Sequence, residues 1–300
     1  MADPSYVGRF APSPTGLLHF GSLLAAVASY LDARAQKGSW LLRIDDIDPP
    51  REQAGASDQI QRTLEHYGLH WDGSTHYQSL HTERYRDLRD QLLRRSLAYP
   101  CNCSRKQLAA YHGRYPGLCR NGTSGTGACA IRVRCDNTPT SFIDRIQGVQ
   151  HYDLAADSGD YVIWRKDDLV AYQLAAAADD AWQGITHVVR GVDLIDSTPR
   201  QIHLQQLLDF KAASYGHIPV LVNSSGRKLS KQNFARPLPT GDPRPLLYFA
   251  LELLGQEPYP ELRDARLDEL LQWAIEHWSI ATVPPLVEVS VTAVTPPFDV

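Results

Sequence analysis

Two short stretches, far apart in the chain, carry residues suited to phosphate chemistry. His19-Phe20-Gly21-Ser22 opens an Ala- and Leu-rich run and follows Pro12-Ser13-Pro14-Thr15-Gly16. A helix N-terminus there offers unpaired N–H groups and the positive end of a dipole. Gly21 lets a ligand approach the backbone closely, and His19 can donate to a phosphoryl oxygen. The second stretch is Gly226-Arg227-Lys228-Leu229-Ser230-Lys231, whose Lys228 and Lys231 can clamp nucleotide phosphates. Each stretch alone has a plainer account: a capped surface helix with an incidental histidine, or a solvated basic loop.

A third group is built on sulfur. Cys101-x-Cys103, then Cys119 after 15 intervening residues, supplies three soft donors where four-coordinate zinc takes four. Tyr115, His112, Cys129 and Cys135 are candidates for the fourth. Donor chemistry favours His112 or Cys129, since tyrosine is an uncommon ligand. Residues 100–130 are rich in Gly, Arg and Asn with little periodicity, so a metal there can supply folding energy that a core does not. Three free buried thiols are the competing account. Arg84, Arg86, Arg89, Arg94, Arg95, Arg105 and Lys106 lead into this segment, either to meet nucleic-acid phosphates or as a solvated helix face.

These groups need elements to hold them. Tyr6–Phe10 reads as a strand running into a turn forced by two prolines and a glycine. Ser22 opens a helix from Leu23 to Gln36 with Gly38 as its stop, and Trp40–Ile44 is a second strand ending in the acidic loop Asp45-Asp46-Ile47-Asp48. That βαβ unit predicts a parallel sheet with a ligand at the strand ends. Ile60, Leu64 and Tyr67 predict a helix closed by Gly68; Tyr85, Leu88, Leu92 and Leu97 predict another between Thr82 and Ala98. Ala130–Arg134, Ser141–Asp144, Tyr161–Trp164 and Ile185–Arg190 read as strands, with a helix near Tyr172–Ala178. Thr198–Phe210, Pro245–Leu254 and Leu267–His277 read as helices, and the tail from Val283 carries no assignment.

The bulk numbers narrow the class. With 43% hydrophobic and 21% charged residues, the 300-residue chain has the composition of a globular protein, larger than one core usually spans. A net charge of −4 argues against a globally basic nucleic-acid binder but leaves room for a local basic face. No run approaches the roughly 18 apolar residues of a membrane helix, and the N-terminus lacks the basic and apolar regions of a signal peptide. Clustered cysteines suit a reducing compartment, so a cytoplasmic protein without a membrane partner is expected.

Together, the two phosphate-suited stretches gain meaning. Gly8–Gly16 with His19-Phe20-Gly21-Ser22 resembles the first signature of class I aminoacyl-tRNA synthetases, and Lys228-Leu229-Ser230-Lys231-Gln232 resembles their second, lysine-rich one. More narrowly, the chain is similar to the glutamyl-tRNA synthetase group. Further matches are Arg43-Ile44-Asp45-Asp46-Ile47-Asp48, Val189-Arg190-Gly191-Val192-Asp193-Leu194 and Ser197-Thr198-Pro199-Arg200-Gln201, collinear across residues 5–235. Phe20, Ser22 and Gln232 at variable places suit one short branch, the glutamyl-queuosine tRNA(Asp) synthetases.

The resemblance implies an α/β fold. A Rossmann-type parallel-sheet catalytic domain would occupy residues 1–98 and 161–222, interrupted by a zinc-bearing insertion at 99–160. A lysine loop and small C-terminal helical subdomain would follow at 223–300. The 69 residues beyond Lys231 suit such a subdomain, so no anticodon-binding domain is expected.

The implied activity is ATP-dependent, tRNA-independent conversion of L-glutamate to glutamyl-adenylate. Transfer to queuosine at the wobble position, in the anticodon loop of tRNA(Asp), would follow. Glutamate brings two carboxylates and an ammonium; Arg9 and Arg190 match the cations for the former. Asp45 stands where the family has Glu, one methylene shorter, so the backbone moves closer or a water bridges. Tyr172 matches a residue that contacts substrate through its hydroxyl, and Phe10, Ala11, Pro12 and Ser13 complete the implied glutamate pocket. His19, Gly21, Ser22 and Lys231 fall to ATP, which brings Mg²⁺. A carboxylate is already ionised at pH 7, so catalysis by His19, Lys228 and Lys231 would rest on positioning and charge rather than a general base. For zinc, one structural ion per chain, the resemblance points to Tyr115 beside Cys101, Cys103 and Cys119. The competing account of Arg9 is an ordinary salt bridge to loop 45–48. A monomer is expected. Two rival functions are a truncated glutamyl-tRNA synthetase charging the 3′ end of tRNA(Glu) and a non-catalytic paralogue binding glutamate or RNA.

Overall fold

A computed structural model describes residues 6–123, 127–135, 140–222 and 236–290. Strand β1 (Val7–Phe10), helix α1 (Phe20–Ala35) and strand β2 (Ser39–Ile44) form the expected βαβ unit, with β1 parallel to β2 from Val7 opposite Ser39 to Phe10 opposite Leu42. The helix begins earlier than the Ala/Leu run suggests, because His19 is its N-cap: its Nδ1 accepts from the Ser22 N–H at 3.2 Å. The stop is also different. Lys37 takes the left-handed conformation (φ 53°), while Gly38 is needed for room: a Cβ there would stand 2.4 Å from the Tyr6 carbonyl oxygen.

Helix α2 (Ala56–His66), the short strand β3 (His76–Tyr77) and helix α3 (Thr82–Arg94) follow. Helix α3 ends four residues short of Ala98, since Ser96 turns left-handed (φ 56°) and Ala98–Cys101 leaves as strand β4. Strand β4, strand β5 (Ala130–Val133) and strand β8 (Val162–Trp164) make a three-stranded antiparallel sheet, with the short helix α4 (Arg105–Ala109) after β4. Between β5 and β8 lie strand β6 (Thr140–Asp144), strand β7 (Gly148–Tyr152) and helix α5 (Leu154–Asp157). Helix α6 (Tyr172–Trp182), strand β9 (His187–Gly191), helix α7 (Thr198–Leu207), strand β10 (Ser214–Ile218) and strand β11 (Val220–Val222) complete the central part. Helices α8 (Arg244–Leu253) and α9 (Leu267–His277) precede strand β12 (Glu288–Ser290), which runs parallel to β11 and gives the unassigned tail a place.

The main sheet explains where a ligand can sit. β3, β2 and β1 run parallel on one side; β9, β10 and β6 run parallel on the other, with β7 antiparallel at the edge. The Thr186 N–H donates to the Val7 carbonyl at 2.9 Å and the Val7 N–H to Thr186 Oγ1 at 2.9 Å, joining β1 to the chain entering β9. Strand order therefore reverses at β1 and β9, which opens a crevice at their carboxyl ends. Leu23, Leu24, Val27 and Leu31 of α1 are buried among Trp40, Leu42 and the apolar faces of α8 and α9. A second core gathers Tyr85, Leu92, Ile163, Leu174 and Leu204. Among the described residues no helix is long and apolar enough to cross a membrane.

Candidate active site

The crevice at the reversal point is a cleft of about 350 Å³. From β1 and the turn beyond it come Arg9, Phe10, Ala11, Pro12 and Ser13; the start of α1 brings His19, Gly21 and Ser22. Tyr172, the first residue of α6, and Arg190 of β9 close the other side. Ten residues singled out for glutamate and ATP thus line one cavity. Thr15, Asp193, Leu194 and Ile218 also line it and were not singled out as site residues. Because His19 Nδ1 accepts the capping bond, its neutral ring carries the proton on Nε2 and can donate from there.

Lys228 and Lys231 lie outside the described residues. Earlier in the chain Leu221 lines the cleft, and later the Leu238 N–H donates to the Leu18 carbonyl at 2.9 Å, two residues ahead of α1.

Behind the cleft floor is a buried charge network. Arg9 does not pair with loop 45–48: its Nε donates to Asp180 at 3.1 Å, and among the described residues this is its single hydrogen bond. Arg43 donates to the same Asp180 oxygen at 2.6 Å and to Asp45 at 2.8 Å. Although burial would raise it, the two guanidiniums hold Asp180 down at about 2. Burial pushes the Asp45 carboxyl up to about 6, against the pull of Arg43. Asp45 does not line the cleft; it sits just behind, its N–H donating to the Pro12 carbonyl at 3.0 Å. The sequence reading missed Asp180, although two adjacent acids inside the apolar run Leu174–Trp182 signal a buried ion pair.

Arg190, only 5% exposed, is held on three sides. Its Nε donates to His217 Nε2 at 3.1 Å, one terminal nitrogen to the Tyr172 hydroxyl at 3.2 Å, and the other to Thr198 Oγ1 at 2.8 Å. The missed strand β10 supplies His217.

The cysteines converge as their spacing suggests. The Sγ atoms of Cys101, Cys103 and Cys119 lie within 4.8 Å of one another, close enough to hold one metal ion. The Tyr115 hydroxyl stands 3.3 Å from Cys101 Sγ and 3.8 Å from Cys103 Sγ. His112 is exposed, Cys129 Sγ donates to the Gly127 carbonyl, and Cys135 packs in the second core; none belongs to the sulfur cluster. Gly159 makes the arrangement possible: it is left-handed (φ 64°), and a Cβ there would stand 1.9 Å from the Tyr115 carbonyl oxygen.

Comparison with known proteins finds relatives along nearly the whole chain. Residues 6–258 match the family described as tRNA synthetases class I (E and Q), catalytic domain. A protein of Pseudomonas syringae pv. tomato named Glutamyl-Q tRNA(Asp) synthetase is 50% identical over 284 residues, 95% of this chain and 96% of the relative. A protein of the same name from Pseudomonas putida KT2440 is 52% identical over 278 residues, 93% of each. In fold, the chain is similar to the crystal structure of a glutamate-tRNA synthetase from Elizabethkingia anophelis. The TM-score is 0.77 at 22% identity, covering 96% of this chain and 68% of that one.

Proposed function

The chain belongs to the class I tRNA synthetases of the E and Q type, and from that membership we propose that it activates L-glutamate with ATP and transfers it to queuosine in the anticodon loop of tRNA(Asp). The observation that carries the reading is the single cleft that combines two arginines, Arg9 and Arg190, with the N-terminus of α1. Glutamate's two carboxylates are met by the arginines, whose planar forks suit bidentate recognition, and the Tyr172 hydroxyl orients the substrate. Asp45, behind Pro12, provides the negative charge for the ammonium group through a bridging water.

The phosphates of ATP lie at the helix N-terminus against His19 Nε2–H, the backbone at Gly21 and the Ser22 hydroxyl, with Lys228 and Lys231 completing the clamp and Mg²⁺ arriving on the nucleotide. An α-carboxylate oxygen of glutamate attacks the α-phosphorus; the bond to the bridging oxygen breaks and pyrophosphate leaves with the electron pair. A hydroxyl of the queuosine cyclopentene-diol then attacks the acyl carbon, the bond to the phosphate oxygen breaks, and the hydroxyl proton passes to the phosphate of the departing AMP as the ester forms. With glutamate already ionised and AMP taking that proton, neither step needs a side-chain base, so this chain's contribution is positioning and charge.

In this reading the catalytic domain takes residues 1–98 and 161–222 together with β6 and β7, which pair into the main sheet through β10 although they fall inside the expected insertion at 99–160. The rest of that insertion bears the metal, and a helical subdomain from 223 includes α8 and α9. The donor set of three thiolates suits zinc, with Tyr115 as fourth ligand and a structural role. The decisive experiment supplies labelled glutamate, ATP and either queuosine-containing or queuosine-lacking tRNA(Asp). Label is expected only on the former, and not when periodate has cleaved the diol beforehand. Equal labelling of both, or charging of tRNA(Glu) at its 3′ end, would overturn the reading.

A further inference from the structure

Arg190 is useful to a carboxylate only if its guanidinium stands in one orientation, and the groups that hold it form a chain. Asp144, 2% exposed at the end of β6, has its two oxygens in distinct roles. Its Oδ1 accepts from three backbone N–H groups: Ile146 at 3.0 Å, Gln147 at 2.8 Å and His217 at 3.0 Å. Its Oδ2 meets His217 Nδ1 at 2.5 Å. An ionised carboxylate is acceptor-only, so Nδ1 carries the proton and Nε2 is left with a lone pair. That lone pair faces Arg190 Nε–H at 3.1 Å and Thr198 Oγ1 at 3.2 Å. His217 is fully buried, so no water can replace a lost partner. Burial also keeps the imidazole below its ordinary pKa, as an acceptor role requires.

We propose that Asp144 and His217 are positioning residues for glutamate recognition: Asp144 fixes the Nδ1–H tautomer of His217, whose Nε2 then anchors Arg190 in the orientation that receives a substrate carboxylate. This rests on the reading of Arg190 as a glutamate-binding cation. Tyr172, Thr198 and the Leu194 carbonyl hold the terminal nitrogens, and among the described residues only His217 holds Nε. If the tautomer flips, two N–H groups oppose each other and the guanidinium turns away from its place.

Asp144→Asn separates orientation from packing. With three backbone donors converging on Oδ1, an asparagine must keep its oxygen there and turn its NH₂ toward His217 Nδ1. The proton then moves to Nε2, facing Arg190, with almost no change in volume. Glutamate-dependent ATP–pyrophosphate exchange should show the KM for glutamate rising about tenfold or more while the KM for ATP stays within about twofold. His217→Gln, whose amide oxygen can still accept from Arg190, should lose less than His217→Leu. Independently of activity, nitrogen-15 NMR of His217 should place the proton on Nδ1 in the wild type and on Nε2 in Asp144→Asn. An unchanged glutamate KM in Asp144→Asn, a parallel rise in both KM values with a fallen melting temperature, or a wild-type proton on Nε2 would each overturn the proposal. Absence of glutamate-dependent exchange in the wild type would instead remove the functional reading beneath it, and the proposal with it.

Discussion

Arg9 on β1 and Asp180 on α6 meet at 3.1 Å with side chains only 4% and 3% exposed, although 171 positions separate them in the chain. The pair ties the strand that opens the cleft to the helix that closes it, and Arg43 joins through the same oxygen. Buried ion pairs of this kind contribute little net stability, yet removing one member leaves a charge uncompensated.

Asp180→Ala should therefore destabilise the fold by about 3–5 kcal/mol, since it leaves the Arg9 guanidinium without its hydrogen-bonded carboxylate and takes one of two from Arg43, which keeps Asp45. Denaturant unfolding measures this, and a loss below about 1 kcal/mol would show that the network is wetter than its burial indicates. Asp180→Asn should lose less, because the amide oxygen still accepts. The carboxyl is held below its unfolded value, so its contribution is present above about pH 4 and lost as pH falls toward 2.

Asp45 has the opposite sign. Its folded pKa of about 6 lies above the unfolded one, so its protonated form favours folding and that contribution is lost as pH rises from about 4 through 6. Binding the ammonium group of glutamate needs the ionised form. The KM for glutamate should rise by up to about tenfold per pH unit below 6 and level off above it. In Asp45→Asn the dependence should vanish. A profile flat from pH 5 to 8 in the wild type would remove Asp45 from amino-group recognition.

Lys231→Ala should lower the rate of adenylate formation by about 10²–10³-fold, the usual cost of one charge-stabilising group, with the melting temperature unchanged. Single-turnover formation of glutamyl-adenylate is the measurement. A rate within about threefold of wild type would leave ATP to His19 and the helix N-terminus alone.

Elemental analysis should find one zinc per chain. Cys119→Ser should lose the metal and lower thermal stability, because three donors and the segment around them depend on it. Tyr115→Phe is the sharper probe: it keeps the ring beneath Arg132, whose guanidinium carbon lies 3.9 Å from the ring centre, and removes only the hydroxyl. Zinc affinity should fall by about tenfold or more. Undiminished affinity would mean that the fourth ligand lies elsewhere.

Much of the candidate site was legible locally. The turn at residues 12–16, the N-terminus of α1 and the cysteine spacing all depend on neighbours close in sequence. Helix α9, expected at Leu267–His277, occupies that span. Strand β10 was not legible. Ser214-Tyr215-Gly216-His217-Ile218 has a glycine and a histidine at its centre, and it is a strand because β9 and β6 hydrogen-bond to it from both sides. The C-terminal end of α3 went unread for the same reason, since β5 draws residues 98–101 into a sheet.

By itself, the sequence determined which chemical groups exist and which lie within a turn or two of each other, such as His19, Gly21 and Ser22 at the start of α1 or Cys101 beside Cys103. Tertiary structure alone decided their partners. Asp180 beneath Arg9 and His217 behind Arg190 follow from the order of strands in the main sheet, which sets neighbours across long stretches of chain that no local periodicity records. Burial then bound those neighbours to each other, because a charge withdrawn from water must be held by whichever residue the fold places beside it.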